Sequence, residues 1–179
     1  MTDSSNQAHT QSQTQNRQPN SYGCFICGLH NPIGLKMVFE ELPEKGRIEA
    51  HLTVSDDYRS YPGVVHGGIV ATILDETSGR ALMMLTGDIH AFFATAKMEV
   101  KYRRATPTHT PLVASGWVER AGESRARVRG ELRLEDGTLL ASCVSVIVRP
   151  SGEFMGGWGE EAPHWRAYTD EELAEWIPD

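Results

Sequence analysis

The sequence predicts an α+β domain built from an antiparallel sheet and one long helix. Three observations carry this. Residues 34–42 and 47–54 read as two strands joined by a turn at Pro43-Glu44-Lys45-Gly46. Residues 67 to about 85 carry the only long stretch of helical periodicity. An unbroken run of strand signals then follows to residue 149. One helix cannot cover both faces of such a sheet, which disfavours βαβ winding.

Taken in order, the chain opens with a polar segment. Fourteen of its first 20 residues are Gln, Asn, Ser or Thr. Such a segment buries too little apolar surface to offset its ordering entropy, so residues 1–20 are expected to form a disordered tail. Residues 21–150 are the expected folded domain. Within it Val70, Ile73, Leu74, Thr77, Ala81, Met84 and Leu85 fall on one helical stripe. The later strands are expected at about 91–104, 112–120, 125–135 and 139–149, with Asp136-Gly137 as a tight hairpin turn between the last two. Residues 151–179 form an acidic tail that holds Trp158, Trp165 and Trp176. It is expected to begin as a Gly-rich loop over 151–159 and to end in a short helix, with Thr169 as N-cap and Glu172 completing a capping box. Docking of this tail on its own domain is favoured over docking on a partner.

The net charge of -7 arises from 24 acidic and 17 basic side chains and argues against a protein that blankets nucleic-acid phosphates. The excess sits wholly in residues 151–179, where eight acids face Arg166 alone. Residues 21–150 are neutral, with 15 acids and 15 bases, so an anionic substrate stays open. The opening Met-Thr-Asp-Ser-Ser-Asn lacks a basic region followed by an apolar run, and no apolar stretch approaches membrane-spanning length. Three cysteines do not make a disulfide framework, and a cytoplasmic location is expected.

The informative stretch is Tyr61 to Glu76. Gly67 and Gly68 open the helix, where unpaired N–H groups and the helix dipole favour an oxyanion or a polarised carbonyl. Asp75 follows about two turns later, off the apolar stripe. Its helical neighbours Ala71, Thr72, Ser78 and Gly79 are small, which would let a ligand or a second backbone approach the carboxylate. A solvated Asp-Glu pair after an ordinary Gly-Gly turn remains the plainer reading of the same residues.

His66-Gly67-Gly68 with an acidic residue nine positions after the His resembles the hotdog-fold acyl-CoA thioesterases, in particular the phenylacetyl-CoA and 4-hydroxybenzoyl-CoA type. Cys24-Phe25-Ile26-Cys27-Gly28 with Asn31-Pro32-Ile33-Gly34-Leu35 is similar to the opening of many members, and the resemblance extends over about 22–149. It implies a homodimer or dimer of dimers with the site at a subunit interface. Asp75 would be general base or nucleophile, and the Gly67 N–H would polarise the thioester carbonyl. His66 would be structural or support that carbonyl, and Gly68 would belong to the substrate-binding residues. Thr95, from the other subunit, would orient water. Many members carry Asn or Gln six residues before the His; this chain has Ser60, whose hydroxyl has a shorter reach. Arg103 and Arg104 match a region where members often place basic residues for the CoA phosphates. No metal and no dissociable cofactor are implied.

Other features have bland readings that are preferred. Arg125, Arg127, Arg129 and Arg133 alternate with Ala126, Val128, Leu132 and Leu134, as on a solvated sheet face balanced by Glu123, Glu131 and Glu135. Contact with CoA phosphates, or a tetramer contact, is the functional alternative. Cys24 and Cys27 could be half a zinc site, with His30 as a third ligand, or a redox pair, but packing is preferred. Phe92, Phe93, Met83 and Met84 could line an acyl pocket or belong to the core. Two rivals to hydrolysis stand: a dehydratase or hydratase on the same fold, and a non-catalytic acyl-CoA-binding sensor.

Overall fold

The computed structural model describes residue 14 and residues 16–150 and 161–177. The expected Gly-rich loop at 151–159, Trp158 and most of the N-terminal tail lie outside these described residues.

Strands β1 (Glu40–Leu42) and β2 (Arg47–Leu52) are joined by a turn in which Gly46 takes φ 62, as expected of Pro43–Gly46. A short hairpin follows, β3 (Arg59–Tyr61) and β4 (Val64–Val65), which the sequence reading did not foresee. Then come the helix α1 (Gly67–Thr86) and the strands β5 (Ala94–Tyr102), β6 (Leu112–Ala121), β7 (Arg125–Leu134) and β8 (Leu139–Val148). A short helix α2 (Asp170–Ala174) closes the described chain. The main sheet has the order β1-β2-β6-β7-β8-β5, every pair antiparallel, and α1 lies across it, which is the α+β arrangement expected.

The first strand is shorter than expected. Over 34–39 the backbone pairs instead with the segments before it: Leu35 and Met37 donate to Phe25 and Ile26, and Phe39 accepts from Gln18. Lys36 takes φ 51, a conformation that breaks a ladder. The Asp136-Gly137 turn forms as expected, with Gly137 at φ 87 and its N–H on the Leu134 carbonyl.

The helix buries Val70, Ile73, Leu74, Thr77 and Ala81 as expected. Beyond Ala81 the buried face moves to Leu82 and Met83, while Leu85 is exposed. Ser78 also turns inward, onto Cys143 and Ser145 of β8. Arg80 is buried because residues 17–21 cover that flank: Gln18 Nε2 donates to the Arg80 carbonyl, and Arg80 Nη1 donates to Pro19 O at 2.7 Å. The end of the expected tail, residues 17–20, is therefore packed into the domain. Gln18 and Asn20 are buried, and Arg17 bonds the Tyr168 carbonyl and Asp170.

The C-terminal segment lies against the same domain. α2 carries the expected capping box between Thr169 and Glu172, and Leu173 and Tyr168 pack with Leu29. No helix among the described residues is long and apolar enough to cross a membrane.

Candidate active site

Asp75 lies on the third turn of α1 and lines a cavity of about 220 Å³ with Glu76, Gly79, Arg80, Met83, Ala91, Phe92, Phe93, Thr95 and Trp165. Its Oδ1 is buried and has no hydrogen-bond partner among the described residues. A carboxylate oxygen shut away without a donor is costly for folding alone. Nothing crowds Gly79, which leaves the wall beside the carboxylate open.

Thr95 reaches this cavity from the start of β5, where the pairing with β8 shifts between Thr95 and Lys97. It shares the cavity with Asp75 of its own chain.

The other expected residues lie elsewhere. His66 is the N-cap of α1, and its Nδ1 accepts the Gly68 N–H at 2.9 Å. The His66 carbonyl accepts from Ile69 and Val70. None of these three bonds takes up the Gly67 N–H, which at the first position of a helix has no intrahelical acceptor. Tyr102 Oη donates to the Gly67 carbonyl at 2.8 Å, the acceptor of the next peptide group, Gly67–Gly68. Ser60 is exposed in the hairpin, its Oγ 3.5 Å from the Val64 carbonyl, away from Asp75. Arg103 and Arg104 are exposed at the end of β5. Both backbone N–H groups bond to Leu140 O, and both side chains border an open hollow with Thr138 and Leu139.

Gly67 and Asp75 are eight residues apart on a helix, or about 12 Å along its axis. A single carbonyl cannot meet both.

Among the possible liners, Phe92, Phe93 and Met83 face the cavity and Met84 does not. Trp165 and Arg80 were missed. Trp165 donates its Nε1 to Ile89 O at 2.8 Å, its ring lies 5.7 Å from that of Phe92, and the Arg80 guanidinium stands 5.1 Å from it. The sequence signal was present, since a tryptophan in an otherwise acidic tail has to find an apolar surface.

The arginine stripe is largely balanced, as preferred. Arg127 and Arg129 share Glu119, whose carboxyl they hold below its ordinary range, and Arg133 pairs with Glu131. His30 is not beside the thiols. It stacks on Tyr22 and lies tilted against Trp176, and the acidic group that approaches Cys24 and Cys27 is Glu76. The Cys24 thiol is lowered to about 6, chiefly because Cys27 donates a hydrogen bond to it.

Residues 62–141 match the thioesterase superfamily model. The acyl-coenzyme A thioesterase THEM4 of Xenopus laevis is 28% identical over 79 residues, which is 44% of this chain and 34% of that protein. The match thus spans about a third of that relative. A thioesterase superfamily protein of known structure superposes with a TM-score of 0.64 and 28% identity, over 70% of this chain and 62% of the other. A phenylacetic acid degradation-related protein from Ralstonia eutropha JMP134 does so with a TM-score of 0.55 and 25% identity, over 64% of this chain and 85% of its own.

Proposed function

The chain folds as a hotdog domain whose residues 62–141 are those of the thioesterase superfamily, and from that premise we propose that it hydrolyses acyl-CoA thioesters to a free acid and CoA. The observation that carries this reading is the partnerless, buried Oδ1 of Asp75 in a cavity shared with Thr95.

Thioester hydrolysis needs a held water, a base for its proton, and a donor for the oxyanion that develops. Asp75 and Thr95 supply the first two. Thr95 orients the water, and Asp75 takes its proton as the oxygen attacks the carbonyl, or attacks the carbonyl itself. The Gly67 N–H supplies the third, with the helix dipole behind it. Collapse of the tetrahedral intermediate expels the CoA thiolate, and after direct attack water then hydrolyses the acyl-Asp75 anhydride to the free acid.

Because Gly67 and Asp75 of one chain stand about 12 Å apart, the complete site joins the Gly67 end of one copy to the Asp75 cavity of another. Strand β5 supports such an assembly. It is an edge of the sheet, and six of its nine residues are exposed, a surface that natural proteins usually cover. Arg103 and Arg104, at the end of this strand, are the groups we assign to the CoA phosphates.

Asp75→Asn tests the reading. Folding should be intact, and thiol release from acyl-CoA should fall by about 10²-fold or more. Unchanged turnover overturns it. One observation favours a second reading: the Ser60 hydroxyl faces a backbone carbonyl and offers no donor to the cavity. A non-catalytic acyl-CoA-binding protein would show a ligand-induced thermal shift without thiol release.

A further inference from the structure

We propose that Cys24, Cys27 and Glu76 form a binding site for one thiophilic divalent cation of the zinc class, with water in the fourth position. Two cysteine sulfurs from the N-terminal loop and a carboxylate oxygen from α1 all lie within 4.8 Å of one another. Tetrahedral zinc with Zn–S bonds of about 2.3 Å spaces its sulfurs by roughly 3.8 Å, so small side-chain rotations close the site.

The loop that carries the thiols is built for this. Cys24-Phe25-Ile26-Cys27-Gly28 turns tightly, with the Gly28 N–H on the Cys24 carbonyl at 2.9 Å. A β-carbon at Gly28 would run into the Cys24 backbone, so the turn requires glycine. The Ile26 N–H points at Cys24 Sγ at 3.3 Å, and the Cys27 N–H also bonds it. Backbone N–H groups directed at a sulfur stabilise thiolate charge, as in metal-binding Cys-x-x-Cys turns. The loop is itself held: Asn20 Nδ2 donates to the Cys27 carbonyl at 2.8 Å and to Met37 O at 3.0 Å. Nothing in a merely apolar packing role calls for sulfur at both positions.

The charges also close. A divalent cation with two thiolates and Glu76 carries one net negative charge. Arg80, buried, donates Nε to Glu76 Oε1 at 2.8 Å and supplies the compensating positive charge. Arg80 thereby orients the carboxylate and leaves Oε2 for the metal, the usual arrangement of an outer partner. Cys24 is half-buried, which gives water a route to the open position. Such a cation would clamp the N-terminal loop to α1 one residue from Asp75. It does not depend on the hydrolase reading, and its test does not use turnover.

The full-length chain, reduced and stripped with a chelator, is titrated with cobalt(II). The expected result is one equivalent bound per chain, with the visible spectrum of a tetrahedral ion and a thiolate-to-cobalt charge-transfer band, followed by displacement by zinc and a rise in Tm of several degrees. Cys24→Ser and Cys27→Ser should each halve the charge-transfer intensity or abolish binding. Glu76→Gln should keep the band while weakening affinity at least tenfold. If a cysteine variant fails to fold, X-ray absorption of the cobalt-loaded native chain decides by counting sulfur neighbours, two being expected. No uptake under reducing conditions, uptake without sulfur ligation, or a Cys24–Cys27 pair that forms a disulfide and binds no cation once reduced would overturn the proposal.

Discussion

Trp165 donates its indole N–H to the carbonyl of Ile89 at 2.8 Å, and this bond seats a C-terminal residue in the wall of the Asp75 cavity. The segment that carries the chain's acidic excess thus contributes an aromatic side chain to the candidate site. Trp165→Ala should open the wall, raise KM for acyl-CoA more than it lowers kcat, and cost about 2 kcal/mol of stability, less than a fully buried Trp would. Urea melts and steady-state kinetics check both parts.

The proposed sharing of the site between copies predicts complementation. Asp75→Asn spoils one half-site, and His66→Ala removes the cap that sets the Gly67 end of the other. Each variant alone should be nearly inactive. Mixed and refolded together at equal amounts, they should regain roughly a quarter of native turnover, the statistical share of intact sites in a twofold dimer. No recovery would mean that each chain holds its own complete site.

Thr95 and Asp75 in one cavity favour a held water over direct attack by the carboxylate. In single-turnover hydrolysis in heavy-oxygen water, the label should appear in the acid product from the first turnover. Label retained in the Asp75 carboxyl would assign it as the nucleophile. Thr95→Ala should lower kcat by about tenfold to a hundredfold.

Gly116 of β6 lies against the helix, and a β-carbon there would come within 2.7 Å of the Thr77 carbonyl. Gly116→Ala should therefore force α1 off the sheet and destabilise the domain by about 2 kcal/mol. The same change at Gly79, where nothing lies within 4 Å, should leave stability unharmed. Thermal melts of the two variants separate close packing from open wall.

The C-terminal docking should respond to acid. Glu172 is held below its ordinary range, first by Arg166 and also by the Thr169 N–H, against some desolvation. A carboxyl lowered in the folded state contributes stability that is full above its unfolded pKa and is lost as pH falls through the lowered value. Amide protection in residues 166–173, measured against the unfolded-chain exchange rate at the same pH, should therefore be high at neutral pH and fall below about pH 4. In Glu172→Gln it should already be low at neutral pH, with a flatter pH dependence.

What could be read directly from the residues was whatever depends on short-range spacing. The helix begins at Gly67, beside the Gly-Gly pair and its histidine cap, because N-terminal geometry is local. Alternation placed Val128 and Leu132 inward, and the Thr169 capping box needed only its four residues. The plain reading of the arginine stripe was also legible, although its main partner, Glu119, comes from the neighbouring strand rather than from β7.

The sequence by itself determined the α+β class, the one long helix, and the position of Asp75 two turns beyond a glycine-rich helix start. These follow from periodicity and capping, which act over a few residues. Tertiary structure alone decided that Thr95 shares the cavity with Asp75, and that Trp165 closes it from outside the sheet. It also decided that residues 17–20 bury Arg80, and that Glu76 rather than His30 meets the two thiols. Each of these joins residues distant along the chain. Their approach is set by how the helix and the two end segments pack on the sheet, and no local spacing encodes it.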